Sequence, residues 1–407
     1  MKSRKQSVVR NLLQAKSQVV EQHRSADARG RYRPDITIPD HPKPLSLPFW
    51  RWLFILTLAF SARSASAQTI WSVGYETPYG TQAPLSDIDM TALTHIIHVG
   101  GAPLADGTII LSGNFATKST TLISLAHAAG VKVLFDVQDT GSFQSGDFGD
   151  AITNHLSTLV TNIMAQVNAY GYDGVDIDWE AHWNLALSDT FMSALRTALG
   201  SRLLTVALGS HWEICGGTHS TYKAADRINV MSYDVGGTSW SVEWFNSPLY
   251  RNGGDVPRSV DYIMKIGWVD DGCASGKVNM GLPFYGYSIT GGSATNSPRA
   301  VMSGTPPTWA EQDYSIILAT WNISNPTYDS STHAYWIPIT GGWLTFDNAA
   351  SLTEKVQYVK ANNFGGWFMW NLNTDYVAGA SPKHVLLDAV KRAFRPAPPT
   401  NVRGSVN

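Results

Sequence analysis

The stretch Asp173-Gly174-Val175-Asp176-Ile177-Asp178-Trp179-Glu180 limits what this chain can fold into more than any other. Side chains on a strand alternate between two faces. Val175, Ile177 and Trp179 therefore share one face, and Asp176, Asp178 and Glu180 share the other. In a barrel wrapped by helices the apolar set faces the helices, which turns the three carboxylates into the interior. They cannot all ionise there at neutral pH, because burial and like charge both favour the protonated form. At least one proton is retained and shared, so the group titrates as a coupled set. A raised carboxyl pKa is what a general acid needs to protonate a leaving oxygen. Glu180 falls at the strand's end, where barrel enzymes carry their catalysts. The offsets of Asp173, Asp176 and Asp178 do not fit an EF-hand loop. A carboxylate cluster that binds a metal is the alternative the residues leave open.

The rest of the chain supplies the other parts of such a barrel. Short apolar runs occur at Trp71–Tyr75, Thr94–Val99, Lys132–Val137, Tyr172–Trp179, Leu203–Gly209, Ile228–Tyr233, Val278–Phe284 and Trp367–Leu372. Amphipathic stretches and loops separate them, the pattern of a parallel sheet wrapped by helices. Between the third and fourth runs, Ile152, Leu156, Leu159, Val160, Ile163, Met164 and Val167 recur at three- and four-residue steps, and Gly171 stops that helix. Ser351 followed by Glu354 reads as a capping box opening a late helix, with Leu352, Val356 and Val359 facing inward. Eight strand–helix units predict a (β/α)₈ TIM barrel. A doubly wound sheet is disfavoured, since no G-x-G-x-x-G follows the first strand. The Gly-, Ser- and Pro-rich stretch Tyr287–Gly342, between the seventh strand and its helix, is expected to form a small excursion over the barrel mouth.

Composition agrees with a large globular core: 43% of the 407 residues are hydrophobic and only 15% are charged. The 15 tryptophans mildly favour a carbohydrate ligand, because indole faces stack on sugar rings as well as on core neighbours. Charge is uneven. Residues 1–67 hold twelve Lys/Arg against four Asp/Glu, a net +8, and the whole chain is −2, so residues 68–407 carry −10. The basic head precedes the apolar run Trp52–Phe60, too short to span a bilayer, and then Ala65-Ser66-Ala67. That is the layout of a secretory signal, with cleavage expected before Gln68 and membrane anchoring by residues 52–60 as the lesser alternative. The expected organisation is a basic extension with a signal at 1–67, a catalytic barrel at 68–395, and a Pro-rich linker or the start of a further module at 396–407. Cys215 and Cys273 are compatible with one disulfide or with two buried thiols. One follows a strand and the other precedes one, which puts them at opposite barrel ends and makes separate thiols the expectation. His95 and His98, on the second strand, read as core or surface residues rather than metal ligands.

The acidic strand matches D-x-x-D-x-D-x-E, the signature of glycoside hydrolase family 18, and further segments carry the same resemblance. Met231-Ser232-Tyr233-Asp234 resembles that family's M-x-Y-D. Met280-Gly281-Leu282-Pro283-Phe284-Tyr285-Gly286 resembles its seventh strand, and Gly365-Gly366-Trp367-Phe368-Met369-Trp370 its eighth. The likeness spans about residues 71–395. It implies a chitinase that hydrolyses β-1,4-linked N-acetylglucosamine polymers with retention, the substrate's own N-acetyl carbonyl acting as nucleophile to give an oxazolinium ion. On that resemblance Glu180 is the acid, Asp178 orients the acetamido group, Asp176 exchanges a proton with Asp178, and Tyr233 hydrogen-bonds the acetamido oxygen. Asp234, Trp370, Tyr75, Tyr285 and Met231 are implied as the sugar-binding set. It implies no cofactor, chitin or chito-oligosaccharide as partner, no stable membrane association after signal cleavage, and a monomer.

One departure stands out. The family's third strand usually ends in S-x-G-G, whereas here Asp136-Val137-Gln138-Asp139 occupies that place. The hydroxyl expected beside Asp176 is replaced by a fourth carboxylate, Asp136. The alternatives within reach of the same signature are an endo-β-N-acetylglucosaminidase acting on N-glycans and a chitin-binding lectin. Relatives of the lectin kind typically lack the acid that Glu180 supplies. No P-loop, G-x-S-x-G or H-E-x-x-H motif occurs, and no basic face of the mature part suggests nucleic acid.

Overall fold

The computed structural model describes residues 69–78, 82–139, 147–237, 242–252, 258–292, 297–302 and 304–395. The signal-like segment, the basic extension and the Pro-rich tail lie outside the described residues. Eight strands run parallel and close into a barrel: β1 (Trp71–Glu76), β2 (His95–Pro103), β4 (Lys132–Gln138), β5 (Gly174–Asp178), β6 (Leu203–Leu208), β7 (Arg227–Val230), β8 (Val278–Pro283) and β14 (Gly366–Trp370). The pairing of β14 with β1 completes the ring. A short β3 (Ile109–Leu111) pairs antiparallel with the end of β2. Each of the eight apolar runs read from the sequence overlaps one barrel strand, so the expected (β/α)₈ architecture is the one found.

Outside the barrel lie α1 (Phe115–Ala128), α2 (Asp147–Tyr170), α3 (Leu185–Leu199), the five-residue α4 (Ser220–Ala224), α6 (Ala349–Ala361) and α7 (Val385–Phe394). Val133, Phe135, Val175, Ile177, Leu204, Val206, Ile228, Val230, Trp367 and Met369 point outward and form one apolar layer with the helices. Ile152, Leu159, Ile163 and Val167 of α2 are buried in it. The opposite phase of the strands forms a separate interior cluster containing Val73, Tyr75, Ile97, Val99, Leu134, Tyr233 and Phe368. Barrel closure thus separates a dry outer core from an interior that can carry polar groups. His95 and His98 belong to packing: His95 stacks on Trp71 at 3.7 Å, and His98 stacks on Phe115 at 4.7 Å. Burial holds both imidazoles well below their usual range, at about 3. No group of His, Cys, Asp or Glu among the described residues could hold a metal ion.

The expected excursion after β8 is present, as an ordered five-stranded antiparallel sheet. It is built from β9 (Tyr285–Thr290), β10 (Thr308–Asp313), β11 (Thr327–Asp329), β12 (Ala334–Ile339) and β13 (Gly342–Phe346), with α5 (Tyr314–Thr320) between β10 and β11. Its strands carry Trp309, Trp336 and Trp343, which pack with Trp244, Phe245 and Ile289. Gly291 and Gly341, both at positive φ, shape the turns that break the apolar pattern along the sequence. The capping box of α6 sits three residues earlier than read. Asn348 accepts from the amide of Ser351, and the Ser351 hydroxyl accepts from the amide of Asn348. Asn is as good a cap as Ser, so the true start was masked by its neighbour. Cys215 and Cys273, expected as separate thiols, are joined in a disulfide with their Cα atoms 4.7 Å apart. The crossover between β6 and β7 holds a 3-10 turn at Trp212–Ile214 and the five-residue α4 in place of a long helix, and Gly216 meets Gly272 beside the bridge.

Candidate active site

Strand phase places the acids as the sequence requires. Asp176 and Asp178 end β5 on its inner face, and Glu180 follows two residues later at the mouth. Asp176 is fully enclosed and held by three donors. The Tyr75 hydroxyl donates to it at 2.8 Å, the Thr205 hydroxyl donates to its other oxygen, and the Asn229 amide reaches it at 3.2 Å. Asn229 also donates to Tyr75 at 3.0 Å and accepts from Asn279 at 2.9 Å, so β1, β5, β6, β7 and β8 share one polar network. Burial pushes Asp176 up to about 6, against the lowering influence of those donors.

Asp136 lies opposite Asp176 in the parallel register of β4 and β5, and neither is exposed to solvent. Burial, then the charges of Asp176 and Asp178, raise its pKa well above the usual carboxylate range. Neither of its oxygens receives a hydrogen bond from a neighbouring donor group, so a retained proton is what makes this carboxyl tolerable inside the barrel. Asp178, 6% exposed, is raised by burial and by Glu180, Asp176 and Asp139. Glu180 is raised by desolvation, then by Asp139 and Asp234. The acids form a coupled ladder in which, beyond burial, Asp176 and Asp178 raise Asp136, and Glu180 and Asp176 raise Asp178, while Asp136 as a hydrogen-bond partner lowers Asp176.

The rim comes from the other strand ends. Asp234, beyond β7, adopts a left-handed backbone with φ 56° and is pinned by its amide, which donates to Asn246 at 2.9 Å. The Tyr285 hydroxyl donates to its carboxylate at 2.7 Å, and Tyr287 bonds it as well. Tyr75 lies 5.3 Å from both Phe368 and Trp370, ring centre to ring centre, and Tyr233 packs edge-on to Tyr285. Together Tyr75, Asp178, Glu180, Met231, Tyr233, Asp234, Tyr285 and Trp370 line one cavity of about 120 Å³, with Ala207, Phe368 and Glu311 completing it. Of the acids singled out from the sequence, Asp176 and Asp136 lie beneath this surface rather than on it.

Several participants escaped the sequence reading. Thr205, Asn229 and Asn279 are single polar residues in apolar runs, and the clue was their phase: each falls on the inward face of its strand. Glu311 and Tyr287, paired across β10 and β9, come from the inserted sheet that had no strand signal. Burial and the charges of Asp234 and Asp313 lift Glu311 to about 7. Asp139 belongs here too, through bonds described below.

Comparison with known proteins places this geometry. The family model described as "Glycosyl hydrolases family 18" matches residues 71–375. Human chitinase-3-like protein 2 is 26% identical over 361 residues, covering 80% of this chain and 91% of that protein. The crystal structure of the Ostrinia furnacalis Group IV chitinase in complex with allosamidin superposes with a TM-score of 0.69 at 23% identity, covering 80% of this chain and 99% of that one. Human YKL-39, described as a pseudo-chitinase with retained chitooligosaccharide binding, gives the same TM-score at 22% identity, over 80% of this chain and all of that one.

Proposed function

This chain belongs to glycosyl hydrolase family 18, and from that premise we propose that it is a secreted chitinase cleaving β-1,4-linked N-acetylglucosamine polymers with retention of anomeric configuration. The observation that carries the reading is the ladder Asp136, Asp176, Asp178, Glu180, rising from a sealed base to an acid at the mouth beside Trp370. The cavity of about 120 Å³ is smaller than the ~300 Å³ or more of pockets that engulf a ligand. A sugar chain therefore lies across the mouth and sends one small group down. An acetamido group suits that space, with Asp178 and Tyr233 lining it.

In this mechanism Glu180 donates its proton to the glycosidic oxygen as the C1–O bond breaks. The acetamido carbonyl oxygen bonds to C1 and closes an oxazolinium ring, whose positive charge Asp178 offsets from below. Asp178 keeps the acetamido group oriented and draws on the proton held between Asp176 and Asp136. Glu180, now a carboxylate, takes a proton from the water that reopens the ring at C1. Asp234, fixed by Tyr285 and Tyr287, bonds the distorted sugar, and Trp370 forms its floor. Met231 and Tyr75 complete the wall.

Binding without cleavage is the second reading, favoured by the likeness to a pseudo-chitinase. Against it stand a carboxylic acid at the strand end and the groups that keep it protonated. An assay of product release from chitin oligomers, colloidal chitin and an N-glycoprotein decides. Release of short oligomers from the first two supports the proposal, release of glycan from the third supports the endoglycosidase, and tight binding with no release establishes the lectin. Secretion rests on residues 52–67, and N-terminal sequencing of exported protein is expected to begin at Gln68.

A further inference from the structure

Asp139 ties the acid's own backbone to the neighbouring strand. Its amide donates to the carbonyl of Asp178 at 3.2 Å, extending the pairing of β4 with β5 by one bond. One carboxylate oxygen then accepts the amide of Glu180 at 2.8 Å and the amide of Ala181 at 2.5 Å. The turn is clamped from its other side, where the Trp179 indole donates to the Ala181 carbonyl at 2.7 Å and stacks on Phe148 at 5.2 Å. A residue without a side chain, as the S-x-G-G pattern has at this position, cannot make these bonds.

We infer that Asp139 is a positioning residue for the acid: it fixes the Glu180 peptide at the mouth and sets, by its charge, the pH at which Glu180 loses its proton. The inference rests on Glu180 being the acid of the proposed reaction. The groups facing Glu180 are Asp178 from β5, Asp139 beyond β4, and Asp234 with Tyr233 beyond β7. Glu311, from the inserted sheet, lines the same cavity, and no Lys or Arg does so among the described residues. The charged groups named here are all carboxylates. Each neighbouring anion opposes its ionisation, and Asp139 stands ahead of Asp234 among the charges that do so.

The role separates into two parts that two substitutions distinguish. Asp139→Asn keeps an oxygen to accept both amides and removes the charge. Asp139→Ala removes both. The asparagine variant is expected to keep most of its kcat at the optimum while the alkaline limb of kcat/KM moves to lower pH. The ratio of rates above the optimum to those at it then falls by at least about threefold, the change that half a pH unit makes on a descending limb. The alanine variant is expected to show the same displacement together with a lower kcat. A merely structural residue moves stability or kcat without moving the limb. Carboxyl-¹³C NMR titration of Glu180, assigned by its loss in Glu180→Gln, reads the same displacement without turnover. An inactive parent protein therefore counts against the chitinase reading and leaves this measurement running. Asp139→Ser, a smaller neutral acceptor, replaces the asparagine variant if that one fails to fold. Superimposable titrations of Glu180 in the parent and the neutral variants overturn the inference.

Discussion

Asp136 and Asp176 face each other in register across two parallel strands, both shut off from solvent, with Tyr75, Thr205 and Asn229 all donating to Asp176 and none to Asp136. The donors make Asp176 the better anion of the two, so the shared proton resides on Asp136. The protonated Asp136 is a hydrogen-bond partner that lowers Asp176, so replacing it by the shorter, less acidic Ser weakens that bond and Asp176 then ionises at higher pH. The acidic limb of kcat/KM is expected to move to higher pH with most activity kept at the optimum. Profiles of both proteins on one soluble oligomer test this, and coincident acidic limbs refute it.

The same substitution changes stability with a definite sign. In the unfolded chain Asp136 ionises near pH ~4, whereas in the native barrel it holds its proton to well above that. Folding therefore takes up a proton over that interval, and this group's contribution to stability falls as pH rises through it. Asp136→Ser removes the loss. Its melting temperature relative to the parent is expected to climb from about pH 4 to about pH 8. A constant difference across that range rules out a retained proton at this position.

The sequence was most readable where burial forces alternation. The run at β5 has apolar residues on one face and acids on the other, so its phase alone turned Asp176 and Asp178 inward. Elsewhere the same rule held with a weaker signal: Thr205 between Leu204 and Val206, or Asn229 between Ile228 and Val230, is one polar residue whose importance depends on three-dimensional neighbours. The inserted sheet was unreadable for a different reason. Antiparallel strands need only short turns, and its Gly- and Ser-rich turns dominate the local composition. The disulfide was misjudged because strand direction was used to place Cys215 and Cys273, while the crossover after β6 holds a 3-10 turn and the five-residue α4 in place of a long helix.

That bridge closes a loop between residues 58 apart in sequence. Constraining the unfolded chain over such a span contributes about 4 kcal/mol in the loop-entropy account. Cys215→Ala with Cys273→Ala is expected to lower the melting temperature by several degrees, and dithiothreitol is expected to lower the parent's but not the variant's. Thiol titration of the denatured, unreduced parent is expected to find no free sulfhydryl. Two reactive thiols per chain exclude the bridge.

Glu180→Gln tests the top of the ladder. Glutamine keeps the shape and loses the dissociable proton, so kcat is expected to fall by roughly 10²–10⁴, the range for removal of a general acid. Tyr75, Asp234 and Trp370 remain in place, so binding of a chito-oligosaccharide, measured by calorimetry, is expected to change little. A variant that retains near-parental turnover removes Glu180 from the mechanism.

The last prediction concerns the nucleophile. Hydrolysis with two carboxylates and retention needs a second acid about 5 Å across the scissile bond from the first. Asp176 and Asp178 lie below Glu180 along the same strand, and Asp234 is engaged by Tyr285. The proposed mechanism gives the attack on C1 to the acetamido oxygen, leaving Glu311, which also lines the cavity, without a bond to C1. Attack by the acetamido oxygen and reopening by water invert C1 twice. The first product is therefore expected to carry the β configuration of the substrate, visible by proton NMR within the first minutes, before mutarotation. A polymer with no acetyl groups lacks the nucleophile altogether. Fully deacetylated chitosan is accordingly expected to resist cleavage, and partly acetylated chitosan to be cut only where an N-acetylglucosamine precedes the broken bond. An α-anomer as first product, or glucosamine at the new reducing ends, would mean that water or a protein carboxylate attacks directly.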